Sequence, residues 1–135
     1  MKILFQSLCL ALTALTLSTT VHAADDPQYS KEFAKCQDEA DGVTPEILAC
    51  NGAEWERQDK RLNKAYQALL KSLPAKKAEE LRTVQRSWLT YKKAKCGFLY
   101  DSYYNTGSLD RIMASNCGLR ETTWRAEELE QLNQP

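Results

Sequence analysis

Apolar residues recur at three- and four-residue steps along most of this chain, and strand-type alternation is nowhere sustained, so the pattern predicts one helix after another. Ser30 can cap a short first helix that carries Phe33, Cys36 and Ala40 on one side and stops at Asp41-Gly42. Thr44-Pro45-Glu46 then offers a capping hydroxyl, a proline at the first helical position and an acid in the first turn. From Ile47 to about Leu70 runs one long helix, with Trp55, Leu62, Tyr66, Leu69 and Leu73 on its apolar side. Pro74 opens a third helix whose stripe is Leu81, Val84, Trp88, Tyr91 and Phe98, and which continues to the polar turn Asn105-Thr106-Gly107. Ser108 with Asp110 begins a fourth, bearing Ile112, Met113, Leu119, Trp124 and Leu129. The expected fold is a small all-α domain of about four helices, two of them long and antiparallel.

The first 23 residues do not fit this bundle. Lys2, an apolar run from Leu8 to Leu17 and the small-x-small close Val21-His22-Ala23 read as a secretory signal peptide cleaved after Ala23. The run is too short to span a bilayer comfortably, and Cys9 sits inside it rather than at the end where a lipid-attachment cysteine belongs. A periplasmic or secreted protein without membrane insertion is expected, with a flexible tail over residues 24–29 and a single domain over 30–135.

Cleavage leaves 112 residues with Cys36, Cys50, Cys96 and Cys117 and no histidine, because His22 is the sole one in the chain. Four cysteines in an oxidising compartment favour two disulfides, and three pairings are possible. Cys36 with Cys50 and Cys96 with Cys117 is favoured, since each pair closes a short loop between neighbouring helices. A zinc site is disfavoured because no cysteine pair has ligand spacing, so no metal and no cofactor are expected. The mature chain holds 17 basic and 18 acidic residues, a balance that points to neither nucleic acid nor an anionic membrane.

The missing histidine excludes most nucleophilic hydrolases, no Ser-x-x-Lys placement exists in the mature chain, and neither a Cys-x-x-Cys nor a glycine-rich phosphate loop is present. Polar residues on apolar stripes are the informative exceptions. Asp59 lies between Trp55 and Leu62 with Asn63 one turn later, and Gln85 precedes Trp88 by one turn. Arg120 and Arg125 are the partners expected by type, giving a structural polar network rather than a site for chemistry. Asp59 paired with Glu54 or Glu46 as glycosidase carboxylates is the sharper alternative, disfavoured because a slim helical domain rarely makes a deep cleft. The chemistry therefore points to binding and away from an enzyme.

The run from Cys36 to Leu129 resembles the LprI-type family of small exported bacterial domains, named for a lysozyme inhibitor. The matching features are Cys36 and Cys50 framing Thr44-Pro45-Glu46-Ile47-Leu48, then Asp59-Lys60-Arg61-Leu62-Asn63-Lys64-Ala65-Tyr66 and Gln85-Arg86-Ser87-Trp88. Cys96, Gly107-Ser108, Cys117 and Thr123 with Arg125 and Leu129 continue them. The resemblance implies an all-α, disulfide-linked envelope protein that inhibits lysozyme. The chain departs from the family's named member, a lipoprotein, in having no lipobox.

Two surfaces suit the partner this implies. One is the turn Gln37-Asp38-Glu39-Ala40-Asp41-Gly42, whose acids Asp38, Glu39 and Asp41 suit a basic muramidase and would speed association. The other is Tyr100-Asp101-Ser102-Tyr103-Tyr104-Asn105, where Tyr100, Tyr103 and Tyr104 offer contact area at small entropic cost. An envelope interaction module, such as a toxin-immunity partner or a scaffold for a cell-wall enzyme, is the alternative. Trp55, Trp88 and Trp124 fall on or beside core stripes, which weighs against a carbohydrate platform. No heptad run is long enough to demand a dimer.

Overall fold

The computed structural model describes residues 26–100 and 107–134. The expected leader and its cleavage point, together with Tyr103 and Tyr104, lie outside the described residues. Among the described residues there are four helices: α1 (Lys31–Ala40), α2 (Thr44–Ser72), α3 (Ala75–Tyr100) and α4 (Ser108–Leu132). No strand occurs among the described residues.

Local chemistry sets the boundaries. The Ser30 hydroxyl accepts from the Phe33 N–H at 3.1 Å and caps α1. Asp41, at φ 44°, and Gly42, at φ 77°, then turn the chain in the left-handed region, which aspartate and glycine tolerate best. Thr44 lies just inside α2 rather than capping it; Val43 is the cap residue, and the first turn holds Pro45. Leu73 stops α2 in an extended conformation at φ −88° and ψ 145°, as a residue before proline must. At 29, 26 and 25 residues, α2, α3 and α4 are all long, so the bundle has three long helices and one short one.

Side-chain pairings give the topology. Asn51, Trp55 and Arg61 of α2 meet Asn116, Thr122 and Glu130 of α4 in rising order, so these helices run parallel. Gln85, Lys92 and Cys96 of α3 meet Arg125, Thr122 and Cys117 of α4 in falling order, which makes that pair antiparallel. The antiparallel hairpin of α2 and α3 is therefore wedged by α4, and its two arms touch each other little. Among the described residues α1 makes its close backbone contacts with α2.

The two halves of the bundle are held differently. Near the α2–α3 turn, Leu62, Ala65, Leu69, Leu81, Ala126 and Leu129 form the apolar core, with Tyr66, Leu70, Leu73 and Trp88 packed on it. In the other half the buried side chains are mostly polar: Asn51, Glu54, Gln58, Glu121, Thr122 and Thr123. There the two disulfides do the joining. Cys36–Cys50 ties α1 to α2 with a Cα separation of 5.7 Å, and Cys96–Cys117 ties α3 to α4 at 5.5 Å, the local pairing favoured from sequence. A chain this short buries a modest apolar area, and covalent links where apolar burial is thinnest compensate for it.

The α3 stripe differs from expectation. Leu81 is buried and Trp88 half-buried, but Val84, Tyr91 and Phe98 face solvent, Phe98 at 65% exposure. Since α3 is covered chiefly by α4, only a narrow strip through Ala78, Leu81 and Gln85 is fully buried. The line through residues 84, 91 and 98 lies roughly a quarter turn to one side of that strip. On α4 the reverse holds, because a central helix flanked by α2 and α3 buries even its threonines and Arg125.

Candidate functional site

The polar half is organised by a carboxylate that the sequence argument placed only in a disfavoured catalytic pair. Glu54 is 0% exposed and accepts from four donors. The Ser30 N–H and hydroxyl donate at 2.9 and 2.6 Å, the Gln58 amide at 2.7 Å and the Arg57 guanidinium at 2.7 Å. Burial pushes the Glu54 carboxyl up, but the hydrogen bonds from Ser30, Gln58 and Arg57 together outweigh it and hold the group below the usual carboxylate range. A glycosidase acid needs the opposite shift and a free oxygen, so Glu54 is a clamp. It fixes the residue that caps α1 onto the middle of α2.

The segment before α1 is tied down as well. Gln28, expected in a flexible tail, donates its N–H to Glu127 at 2.8 Å and accepts from the Gln58 amide at 3.3 Å. Tyr29 packs edge-on against Phe33 with ring centroids 5.0 Å apart.

The five residues expected as one polar network fall into separate groups. Asp59 is half-buried, and its Oδ2 accepts from the Asn63 amide on its own helix at 2.9 Å. Gln85 Oε1 accepts from the Arg125 Nε at 2.9 Å, as its place on the stripe suggested. Arg125 is 4% exposed and also donates to Glu128 at 2.7 Å. Arg120 joins neither group; it is exposed and sits 5.2 Å from the centroid of Trp124. Asp59 therefore does not reach Arg120 or Arg125, because α4 presents those arginines to α3 and to solvent rather than to its rung of α2.

Asp38 and Glu39 in the last turn of α1 and Asp41 at its C-cap are all exposed. The α1–α2 turn is rigid: Val43 N–H donates to the Ala40 carbonyl at 2.8 Å, Ala40 is buried, and Cys36–Cys50 closes the loop behind it. Gln37 faces inward and donates to Asn51 at 2.8 Å, and Asn51 in turn donates to Asn116 on α4 at 2.7 Å. The acids stand at the C-terminal end of α1, which has no basic residue in its last turn. Negative charge at that end opposes the helix dipole, so the arrangement costs stability. Lys35 offsets it little, through an exposed pair with Glu39 at 3.7 Å.

At the far end of α3 Tyr100 is 57% exposed, on the same helix as Phe98 and Tyr91. Of the tryptophans, Trp55 donates its indole N–H to Thr122 at 3.1 Å and Trp88 packs on the core. A cleft of 310 Å³ opens between α2 and α3, lined by Asp59, Tyr66, Arg82, Gln85, Trp88 and Lys92 among others. Its Lys92 ammonium stands 4.8 Å from the centroid of Trp88 and 5.9 Å from that of Trp55. Sequence reasoning missed this cleft because it depends on α4 holding the two arms apart.

Among the described residues no group of His, Cys, Asp and Glu is placed to hold a metal ion, and no helix is long and apolar enough to cross a membrane. Taken together, the geometry defines a disulfide-stapled helical domain whose distinctive features are surfaces. The chain belongs to the LprI family: the family model described as lysozyme inhibitor LprI matches residues 36–129, from the first bridge cysteine to the last core leucine. No curated protein and no solved structure matches the chain.

Proposed function

We propose that this protein is an exported inhibitor of lysozyme-type peptidoglycan muramidases, acting in the bacterial periplasm by stoichiometric binding and without a cofactor. The observation that carries the reading is the family match over residues 36–129. Two disulfides are in keeping with an oxidising compartment. The acidic turn is the surface offered to the enzyme: Asp38, Glu39 and Asp41 meet a basic target with a complementary field. The Cys36–Cys50 bridge holds them in place, so little ordering entropy is lost on binding. Acids kept at a helix end where they cost stability are better explained by recognition than by folding.

Titration of the oxidised protein against c-type, g-type and bacterial muramidases tests this. Saturable inhibition near one-to-one is expected, and no inhibition of any of them at micromolar protein refutes it. A second reading, an envelope interaction module serving as an immunity partner or enzyme scaffold, is favoured by the exposed line of Val84, Tyr91 and Phe98 on α3. It is the reading that survives if a defined envelope protein binds that face while every muramidase is ignored.

A further inference from the structure

The cleft between α2 and α3 carries chemistry that neither the acidic turn nor inhibition of a muramidase accounts for. Three cationic side chains, Arg82, Arg86 and Lys92, line it, against one carboxylate, Asp59. A fourth cation lies behind the wall: Arg125 is bound to the lining residue Gln85, and its Nη2 is buried without a hydrogen-bond partner. Lys92 is half-buried. Its hydrogen-bond contact is the Thr122 hydroxyl at 3.3 Å, two indole faces cover its flank, and no carboxylate of the described residues stands within ion-pairing distance. Burial lowers the pKa of this ammonium, with Asp59 and Glu121 opposing the shift from further away. A cation desolvated in this way gains more from an incoming anion than a surface lysine does.

The rim arginines are available to the same anion. Arg82 and Arg86 share one exposed partner, Glu79, at 3.2 and 3.6 Å, and pairs so exposed hold weakly. The rest of the lining is apolar at Leu62, Trp88 and Leu89, with polar groups at Asn63, Tyr66 and Gln85. At 310 Å³ the space is at the small end of ligand sites. A polyanion would meet Asp59 as well as the cations, whereas a single carboxylate on an apolar or ring-shaped body matches both the charge and the walls.

We propose that the α2–α3 cleft is a binding site for a small organic carboxylate, with the anion held by Lys92 and Arg86 and its apolar body against Trp88. The site is independent of the muramidase-inhibitor reading and is tested on the protein alone. Two sources of such a carboxylate, a sugar acid and a peptide terminus, are separated by the choice of probe.

The experiment is a titration of ¹⁵N-labelled oxidised protein followed by the tryptophan indole resonances. N-acetylmuramic acid is compared with neutral N-acetylglucosamine, and N-acetyl-leucine with its amide. At least one acid is expected to shift Trp88 saturably and to bind roughly tenfold or more tightly than its neutral counterpart; the arm that responds names the source. Lys92→Met, checked for native fold by its amide spectrum, is expected to abolish that preference. Asp59→Asn, which removes the one acid in the cleft, is expected to tighten carboxylate binding a few-fold. Equal binding of acid and neutral probe, no saturable shift with either acid, or a preference that survives Lys92→Met overturns the proposal. So does weaker binding by a folded Asp59→Asn.

Discussion

Replacing Glu54 by alanine removes the acceptor of four donors at once. The Ser30 N–H, a fixed backbone group, and the Gln58 amide, which is 5% exposed, are the two least able to turn to water. At ~1–3 kcal/mol for each buried group left without a partner, and with the space vacated by the carboxylate added, the loss comes to ~3–5 kcal/mol. For a domain of this size that is a fall in Tm of roughly 12–20 °C. Glu54→Gln keeps the shape and part of the bonding but loses the charge, and should cost ~1–2 kcal/mol. The pH dependence has a definite sign. Because the folded carboxyl lies below its ordinary value, its contribution is complete above the unfolded value of about 4.3 and is lost as the pH falls through the folded value. Wild type and Glu54→Gln should therefore differ at neutral pH and converge in acid. Urea and thermal unfolding of the oxidised proteins, followed by circular dichroism from neutral to acid pH, measures all of this. A Glu54→Ala protein within ~1 kcal/mol of wild type, or a Glu54→Gln difference that does not change with pH, refutes the reasoning.

Gln85→Leu leaves the buried Arg125 Nε without an acceptor and should lower stability by ~2–4 kcal/mol, read as a shift of the urea midpoint. Loss of the Cys36–Cys50 bridge by paired serine substitution should cost ~3 kcal/mol on the chain-entropy model, measured against the oxidised parent. Leu129→Ala, at 0% exposure in the centre of the core, should cost ~2–5 kcal/mol in the same assay. The triple change Asp38→Asn, Glu39→Gln and Asp41→Asn relieves the unfavourable charge at the end of α1. It should leave stability equal or higher by up to ~1 kcal/mol. In stopped-flow mixing with a basic muramidase, the same protein should associate more slowly and with a flatter dependence on salt.

The helices and the bridges were legible in the sequence because they are written locally. A capping serine, Asp41-Gly42, Pro45 and Pro74 mark the boundaries, and cysteines 14 and 21 residues apart in sequence close loops between adjacent helices. Which face of each helix is buried was harder to see, because that depends on how many neighbours a helix acquires. Val84, Tyr91 and Phe98 repeat like a core stripe, yet among the described residues α3 packs chiefly on α4, and these three lie to one side of that contact. Thr122, Thr123 and Glu121 are surface residues by type, yet α4 is packed against both α2 and α3. Glu54 could have been found: with Cys50 and Asn51 before it and Gln58 and Leu62 after it, it occupies the inward stripe of α2 as plainly as Leu62 does. Asp59 was preferred because it lies between two large apolar residues, but Trp55 is itself turned partly to solvent, at 39% exposure. The acidic turn was visible as composition, whereas its rigidity and its clash with the helix dipole needed the fold.

Under the proposed function the protein restrains a muramidase by occupying it. The most direct test is clearance of a bacterial cell suspension by c-type, g-type and bacterial lysozymes, with purified oxidised protein titrated through the enzyme concentration. At least one enzyme is expected to be inhibited saturably, with an end point near one inhibitor per enzyme and a weaker effect from the protein lacking the charges of Asp38, Glu39 and Asp41. Undiminished clearance by every enzyme at a large molar excess of folded protein would contradict it.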